Sequence, residues 1–311
     1  MTDLTVIVPT HNPHTGRLER TLSGLRAQTL ESTRWETIVV DNASTPALSL
    51  DQLAASAPDN LRLIVEPTLG LTAARRRGFL EANGPLLVLV DDDNVLAPDY
   101  LERVLDFFST RPQLGAAGGK SIPEFETPPE PWVREFDELL ACRDLGPAEL
   151  VATQLWDNAR GRNEYPPCAP IGAGMALRRN AVQAWLDQPG SSLTDRRGTE
   201  LTSGGDNDIV LTLLTHGWHV GYFPQLSLTH LIPTGRVQRD YLARLNRGIT
   251  RSWVQVLAKY DANPWRPIPP WTVSLRKLKA ALRYRPWESP TAFVRYHGAC
   301  GYFEGLASVF R

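Results

Sequence analysis

The chain has 311 residues, 42% of them hydrophobic, and a net charge of −1. That is ample for a large core in one or two domains, and it provides no global charge to draw the chain to nucleic acid or acidic lipid. No apolar run approaches the roughly 18 residues needed to cross a bilayer, and Met1 to Leu4 leads straight into the strand-like TVIVP, leaving no room for a signal peptide. The three cysteines, Cys142, Cys168 and Cys300, are far apart and form no CxxC pair, which points to a reduced, intracellular compartment.

Residues 4–8 predict a first short strand, stopped by Pro9. The spacing of Leu18, Leu22, Leu25 and Leu30 predicts a crossover helix over 18–30. A second strand follows at 37–40 with Asp41 at its carboxyl end, and DNAS (41–44) suits a turn, since these side chains bond locally to backbone. A helix near 50–57 and a strand at 61–65 complete another unit. A helix over 72–82 is expected to face inward through Ala73, Ala74 and Leu80, with Arg75, Arg76 and Arg77 clustered near its start. PLLVLVDDDN (85–94) then reads as a buried strand of a parallel sheet running into three aspartates, with a helix over 98–109 behind it. This alternation implies an open, doubly wound α/β sheet.

Such sheets meet ligands beyond the carboxyl ends of their strands, where Asp91, Asp92 and Asp93 lie. Crowded carboxylates are relieved by a divalent cation, and hard oxygen ligands favour Mg²⁺ or Mn²⁺ with a phosphate completing the shell. The triplet taken alone fits a solvated acidic turn equally well, capping the next helix through Asn94 or Asp99. No GxGxxG follows the first strand and no GxxxxGK[ST] occurs, which argues against the usual dinucleotide and P-loop sites. DDDNV also fits the DxDxV motif of haloacid-dehalogenase-like phosphohydrolases, with Asp91 as nucleophile. That family carries the motif on its first core strand, whereas here three α/β units precede it.

Between Lys120 and Pro170 the pattern loosens. EFETPPEPW and GRNEYPPCAP are Pro-rich and read as loops, with Trp132, Trp156 and Tyr165 in or near them. Further on, Leu242, Leu245, Ile249, Trp253 and Leu257 form a helical stripe expected to pack on the preceding domain. After the break NPWRPIPPW, Leu275, Leu278 and Leu282 recur at helical spacing beside Arg276, Lys277, Lys279 and Arg283. A basic amphipathic helix of this kind either lies on an anionic bilayer or docks on its own protein.

Taken in order, VIVPTHN (6–12), VVDNAS (39–44), LGLTAARRRG (69–78), LVLVDDDN (87–94), GAGMALRR (172–179), SGGDNDIVL (203–211) and HGWHVGYFPQLSLTHLIP (216–233) resemble family 2 glycosyltransferases with the GT-A fold. The resemblance implies an open, mostly parallel sheet with helices on both faces. It divides the chain into a catalytic domain over 1–235, with a nucleotide-sugar half (1–119) and an acceptor half (120–235), and a helical extension over 236–311. The implied activity is inverting transfer from a nucleotide-diphosphate sugar, UDP-linked by expectation, to a hydroxyl of a glycan or glycolipid. The expected setting is bacterial polysaccharide or glycolipid assembly, in the cytoplasm or on the inner face of the plasma membrane with contact through 275–285. Aromatics of the 120–170 loops would then either stack on sugar rings or anchor the loops.

The same resemblance implies roles. Pro9, Thr10 and Asn12 would line the nucleotide, Asp41 would bond the base unless it only forms its turn, and Arg75 would lie by base or phosphates. Asp91 would reach the ribose and Asp93 the Mn²⁺ or Mg²⁺, with Asp92 able to substitute for either. His230 would complete the metal shell unless it is a core histidine, and Arg236 would neutralise the departing diphosphate. Asp206 matches the general base, with Asp208 as the alternative, and Gly204-Gly205 permits close backbone approach. The family usually shows Glu-Asp where this chain has Gly205-Asp206. That departure is the one hint of a non-catalytic nucleotide-sugar-binding module.

Overall fold

The computed structural model describes residues 2–188 and 201–310. Strands β1 (Leu4–Thr10), β2 (Trp35–Asp41) and β4 (Leu86–Leu89) are buried along their whole length, as strands covered on both faces must be. They pair in parallel with β3 (Leu61–Val65) in the order β3-β2-β1-β4. The connections carry α1 (Thr15–Arg26), the single turn α2 (Leu50–Leu53) and α3 (Leu71–Glu81). Beyond β4 come the short β5 (Asn94–Leu96), α4 (Tyr100–Thr110) and β6 (Leu114–Phe125).

The second half extends this sheet without keeping it purely parallel. β7 (Leu150–Ala152) precedes a two-stranded ribbon of β8 (Trp156–Asp157) and β9 (Arg162–Asn163). β10 (Ala176–Arg178) inserts antiparallel between β4 and β6 and leads into α5 (Arg179–Leu186). α6 (Gly205–Thr215) precedes the long β11 (His219–Ile232), which runs parallel to β6 and antiparallel to β5 and β7. The sheet is thus mixed, with helices on both faces and a parallel block at the end that builds the site.

Several predicted boundaries move. Pro9 lies within β1, because pairing with β4 ends at Ile7↔Leu89 and the missing N–H costs no ladder bond. α1 stops at Arg26, so buried Leu30 belongs to the following loop. α3 faces inward through Ala74, Arg75, Gly78 and Phe79, while Leu80 is 58% exposed. A Cβ on Gly78 would stand 2.4 Å from Ile7 Cγ2, so the glycine seats α3 against β1. That close crossing sets the helix phase and turns Arg75 under the helix.

The C-terminal helices α7 (Arg239–Lys259), α8 (Val273–Tyr284) and α9 (Pro290–Ser308) pack on one another. On α9, Gly298, Gly301 and Gly305 meet α7 at close range; a Cβ on Gly301 would lie 2.1 Å from the Arg247 carbonyl oxygen. Gly301→Val is therefore expected to force the helices apart and cost roughly 1–3 kcal/mol, read as a lowered Tm in a thermal melt. An unchanged Tm would show that the pair tolerates separation. The three cysteines are free and buried. No helix among the described residues is long and apolar enough to cross a membrane.

Candidate active site

The strand order reverses between β1 and β4: the chain steps outward from β1 to β2 and β3, then returns to pair β4 on the other side of β1. Open α/β sheets bind ligands at such switch points, and a cleft of about 420 Å³ opens there. Pro9 and Thr10 reach it from the end of β1, and Asp91, Asp92 and Asp93 from the end of β4. The Thr10 hydroxyl donates to Asp92, tying the two strand ends together.

His230 arrives by register. β11 pairs with β5 so that His230 stands opposite Asn94, and the Leu231 N–H donates to the Asp93 carbonyl at 2.8 Å. His230 Nε2 is then 3.5 Å from Asp93 Oδ1. Arg236, in the short 3-10 turn after β11, places Nη1 2.9 Å from Asp93 Oδ2 and 3.3 Å from His230 Nε2.

A second group closes the cleft from the other side. Arg75 is 4% exposed, with Nη2 3.7 Å from Asp91 Oδ1. Asp206, in the first turn of α6, accepts the Gly172 N–H on Oδ2 at 2.9 Å and the Asn207 N–H on Oδ1 at 3.0 Å. A Cβ on Gly172 would meet Arg75 Nη2 at 2.6 Å and Asp206 Oδ2 at 3.3 Å. Only a glycine there lets the arginine and the carboxylate approach as they do.

Other expected residues lie elsewhere. Both Asp41 oxygens accept backbone N–H groups, from Ser44 at 3.1 Å and Leu48 at 2.9 Å, so the carboxylate holds its own loop and does not line the cleft. Asn12 accepts the Thr45 N–H at 2.8 Å and borders a separate groove with Thr15 and Pro46. Asp208 is buried and accepts from Trp185 Nε1, Lys259 Nζ and the Tyr260 hydroxyl at 2.9, 2.7 and 2.8 Å. Two residues along a helix turn a side chain by about 200°, so Asp208 points away from the cleft that Asp206 faces. Tyr165 bonds Asn207 at 2.9 Å and packs edge-on against Trp253, and neither Trp132 nor Trp156 lines the cleft.

Some lining residues were not expected from the sequence. Asn42 donates to the carbonyls of Glu66 and Thr68 at 3.0 and 2.7 Å, and accepts the Gly70 N–H at 2.8 Å. It thereby fixes the turn where Gly70, at φ +140, opens α3. His11 Nδ1 lies 2.7 Å from the Asn42 carbonyl. Tyr241, Leu245 and Ile249 of α7 form part of the wall, so this first C-terminal helix contributes to the cleft itself.

Among the described residues no three His, Cys, Asp or Glu side chains gather as a metal set. Asp93 Oδ1 and His230 Nε2, at 3.5 Å, nevertheless sit within the roughly 4.2 Å that two ligands of one ion can span at about 2.1 Å each. The carboxylate suits Mn²⁺ or Mg²⁺ completed by phosphate and water, and the imidazole beside it favours Mn²⁺ over the harder Mg²⁺. The residues fit such an ion once Arg236 gives way.

Burial, then the charges of Asp93 and Asp91, push the Asp92 carboxyl up to about 7, against the Thr10 hydrogen bond and Arg236, which pull it down. A carboxyl whose folded value lies above its unfolded one destabilises the fold once ionised, so stability present in acid is lost as the pH rises toward and through 7. Asp92→Asn is thus expected to raise Tm at pH 8 in EDTA and to change it little at pH 4. An equal Tm shift at both values would contradict this.

The sequence profile described as Glycosyl transferase family 2 matches residues 5–184, more than half of the chain. A glucosyl-dolichyl phosphate glucuronosyltransferase of Haloferax volcanii is 24% identical over 176 residues, 56% of this chain and 51% of that protein. An N-acetylglucosaminyltransferase of Bradyrhizobium diazoefficiens is 23% identical over 270 residues, 85% of this chain and 50% of that protein. The chain thus spans about half the length of these relatives. Among solved structures, the mannosyltransferase PcManGT of Pyrobaculum calidifontis, in complex with GDP-Man and Mn2+, aligns with a TM-score of 0.59 at 19% identity. That alignment covers 97% of this chain and 86% of the other, a likeness of fold.

Proposed function

Because the chain belongs to glycosyl transferase family 2, we propose that it is an inverting glycosyltransferase acting on a nucleotide-diphosphate sugar, UDP-linked in the first instance. Membership of the family supports glycosyl transfer in general; the donor, the stereochemistry and the residue roles are our reading. The observation that carries it is the convergence of Asp91–Asp93, Arg75, His230, Arg236 and Asp206 on one cleft at the switch point. A dehalogenase-type reaction on Asp91 loses its basis with the family assignment.

In this reading the nucleotide lies along the ends of β1 and β4, with Asn42 rather than Asp41 at its edge. Arg75 and Arg236 face the diphosphate, and Asp93 with His230 would hold a divalent ion there. Such an ion, when bound, neutralises charge on the leaving diphosphate. Asp206 takes the proton of the acceptor hydroxyl as that oxygen bonds to the anomeric carbon, while the bond to the diphosphate breaks on the opposite face. The N–H groups of Gly172 and Asn207 hold the Asp206 carboxylate in the cleft wall.

The test is a panel of UDP-, GDP- and dTDP-sugars with mixed glycan and glycolipid acceptors, reading nucleoside diphosphate release and the anomeric configuration of product by proton NMR. An inverted product supports the reading. A retained anomer contradicts inversion, and nucleotide binding without any transfer favours the non-catalytic module.

A further inference from the structure

The helix α8 is docked by a narrow face. Ala280 is buried, and Lys277 reaches Glu304 of α9, which also binds Arg247 of α7. At 100° per residue, Leu275, Leu278 and Leu282 lie together on the side opposite Ala280. They are 66%, 60% and 66% exposed. Trp271 and Trp287 flank the helix at its two ends, 81% and 69% exposed. An apolar row aimed away from the protein, with tryptophans at both ends, has no use in water.

The charge carried by α8 itself has one sign, the nearby acids Glu304 and Glu288 being taken up by Lys277 and Arg285. Residues 263–287 hold six Lys and Arg and no Asp or Glu. Arg276, Lys279 and Arg283 sit on one flank of the leucine row, and none has an acidic partner among the described residues. They face a groove of about 760 Å³ between α8 and α9, which also takes Arg295 and Tyr302. Guanidinium and ammonium groups spaced along an open groove match phosphate oxygens.

We propose that this face of α8 lies on an anionic phospholipid bilayer. Leu275, Leu278 and Leu282 enter the acyl boundary, Trp271 and Trp287 sit at headgroup level, and Arg276, Lys279 and Arg283 pair with lipid phosphates. A second copy of the chain fits less well, because a two-fold contact would set these cations against one another. The long helix α7 connects this face to the cleft: Tyr241, Leu245 and Ile249 line the cleft, whereas Asn246 and Thr250 line the basic groove. Docking therefore holds the cleft beside the bilayer surface.

The test reads binding alone, so its failure is separable from failure of the transfer reaction. The full chain is sedimented with vesicles of phosphatidylglycerol and phosphatidylcholine, and with phosphatidylcholine alone. Binding to the anionic vesicles is expected, weaker by on the order of tenfold or more on neutral ones and reduced in about 0.5 M salt. Leu275→Gln/Leu278→Gln/Leu282→Gln, all on exposed positions, is expected to lose on the order of tenfold or more with its circular dichroism unchanged. Arg276→Gln/Lys279→Gln/Arg283→Gln is expected to abolish the preference for anionic lipid. Absence of wild-type binding to anionic vesicles, or leucine-variant binding equal to wild type, overturns the proposal. So does a dimer in solution that the leucine variant converts to monomer.

Discussion

Asp206→Asn is expected to keep nucleotide binding and to lower kcat by on the order of 10²–10⁴. The amide matches the carboxylate in shape but offers no basic lone pair for a hydroxyl proton. It must also present one oxygen to two N–H donors, Gly172 and Asn207, so a small local adjustment accompanies the chemical loss. Asp208→Asn separates the two effects. Its carboxylate is buried against Lys259, Trp185 and Tyr260, so that variant is expected to lower Tm, with its rate following the amount of folded protein. A kcat in Asp206→Asn near wild type would remove Asp206 as the base.

Asp93→Ala is expected to weaken nucleotide-diphosphate binding by on the order of a hundredfold and to abolish any response to Mn²⁺. The change removes a carboxylate that touches both Arg236 and His230. Two costs combine: a hard oxygen ligand is lost, and Arg236 is freed to swing from its seat. The measurement is titration calorimetry with and without Mn²⁺, beside Asp93→Asn as the milder variant. Unaltered metal dependence in Asp93→Ala would move the ion to Asp91 or Asp92.

The parallel half was legible because its strands are short apolar runs ending in polar residues, and the period of the leucines marks α1. Where the sequence misled, the cause was tertiary. Leu80 looked inward by periodicity, yet Gly78 seats α3 on β1 and sets its phase. Asp41 was read as base-binding or turn-forming; its two accepted backbone N–H bonds show the turn, and neighbouring Asn42 lines the cleft. Only the fold shows that Asn42 bridges the β1 loop to the turn before α3. The spacing of Asp206 and Asp208 already placed them about 200° apart on a helix; which of them faces the cleft depended on the position of α5 and α7. The antiparallel β10, and the arrival of His230 through the β5–β11 register, had no local signal, since long-range pairing is written in two distant segments at once.

The claim on which the rest depends is that the Asp91–Asp93 cleft binds a nucleoside diphosphate with a divalent ion. Its most direct test is calorimetric titration of UDP, GDP and dTDP into the wild-type chain, first with Mn²⁺ and then with EDTA. Saturable binding of one nucleotide that needs the metal is the predicted result, and it fixes the donor class as well. Absence of binding by every nucleotide in both conditions would contradict it, and the triplet would stand as an acidic turn.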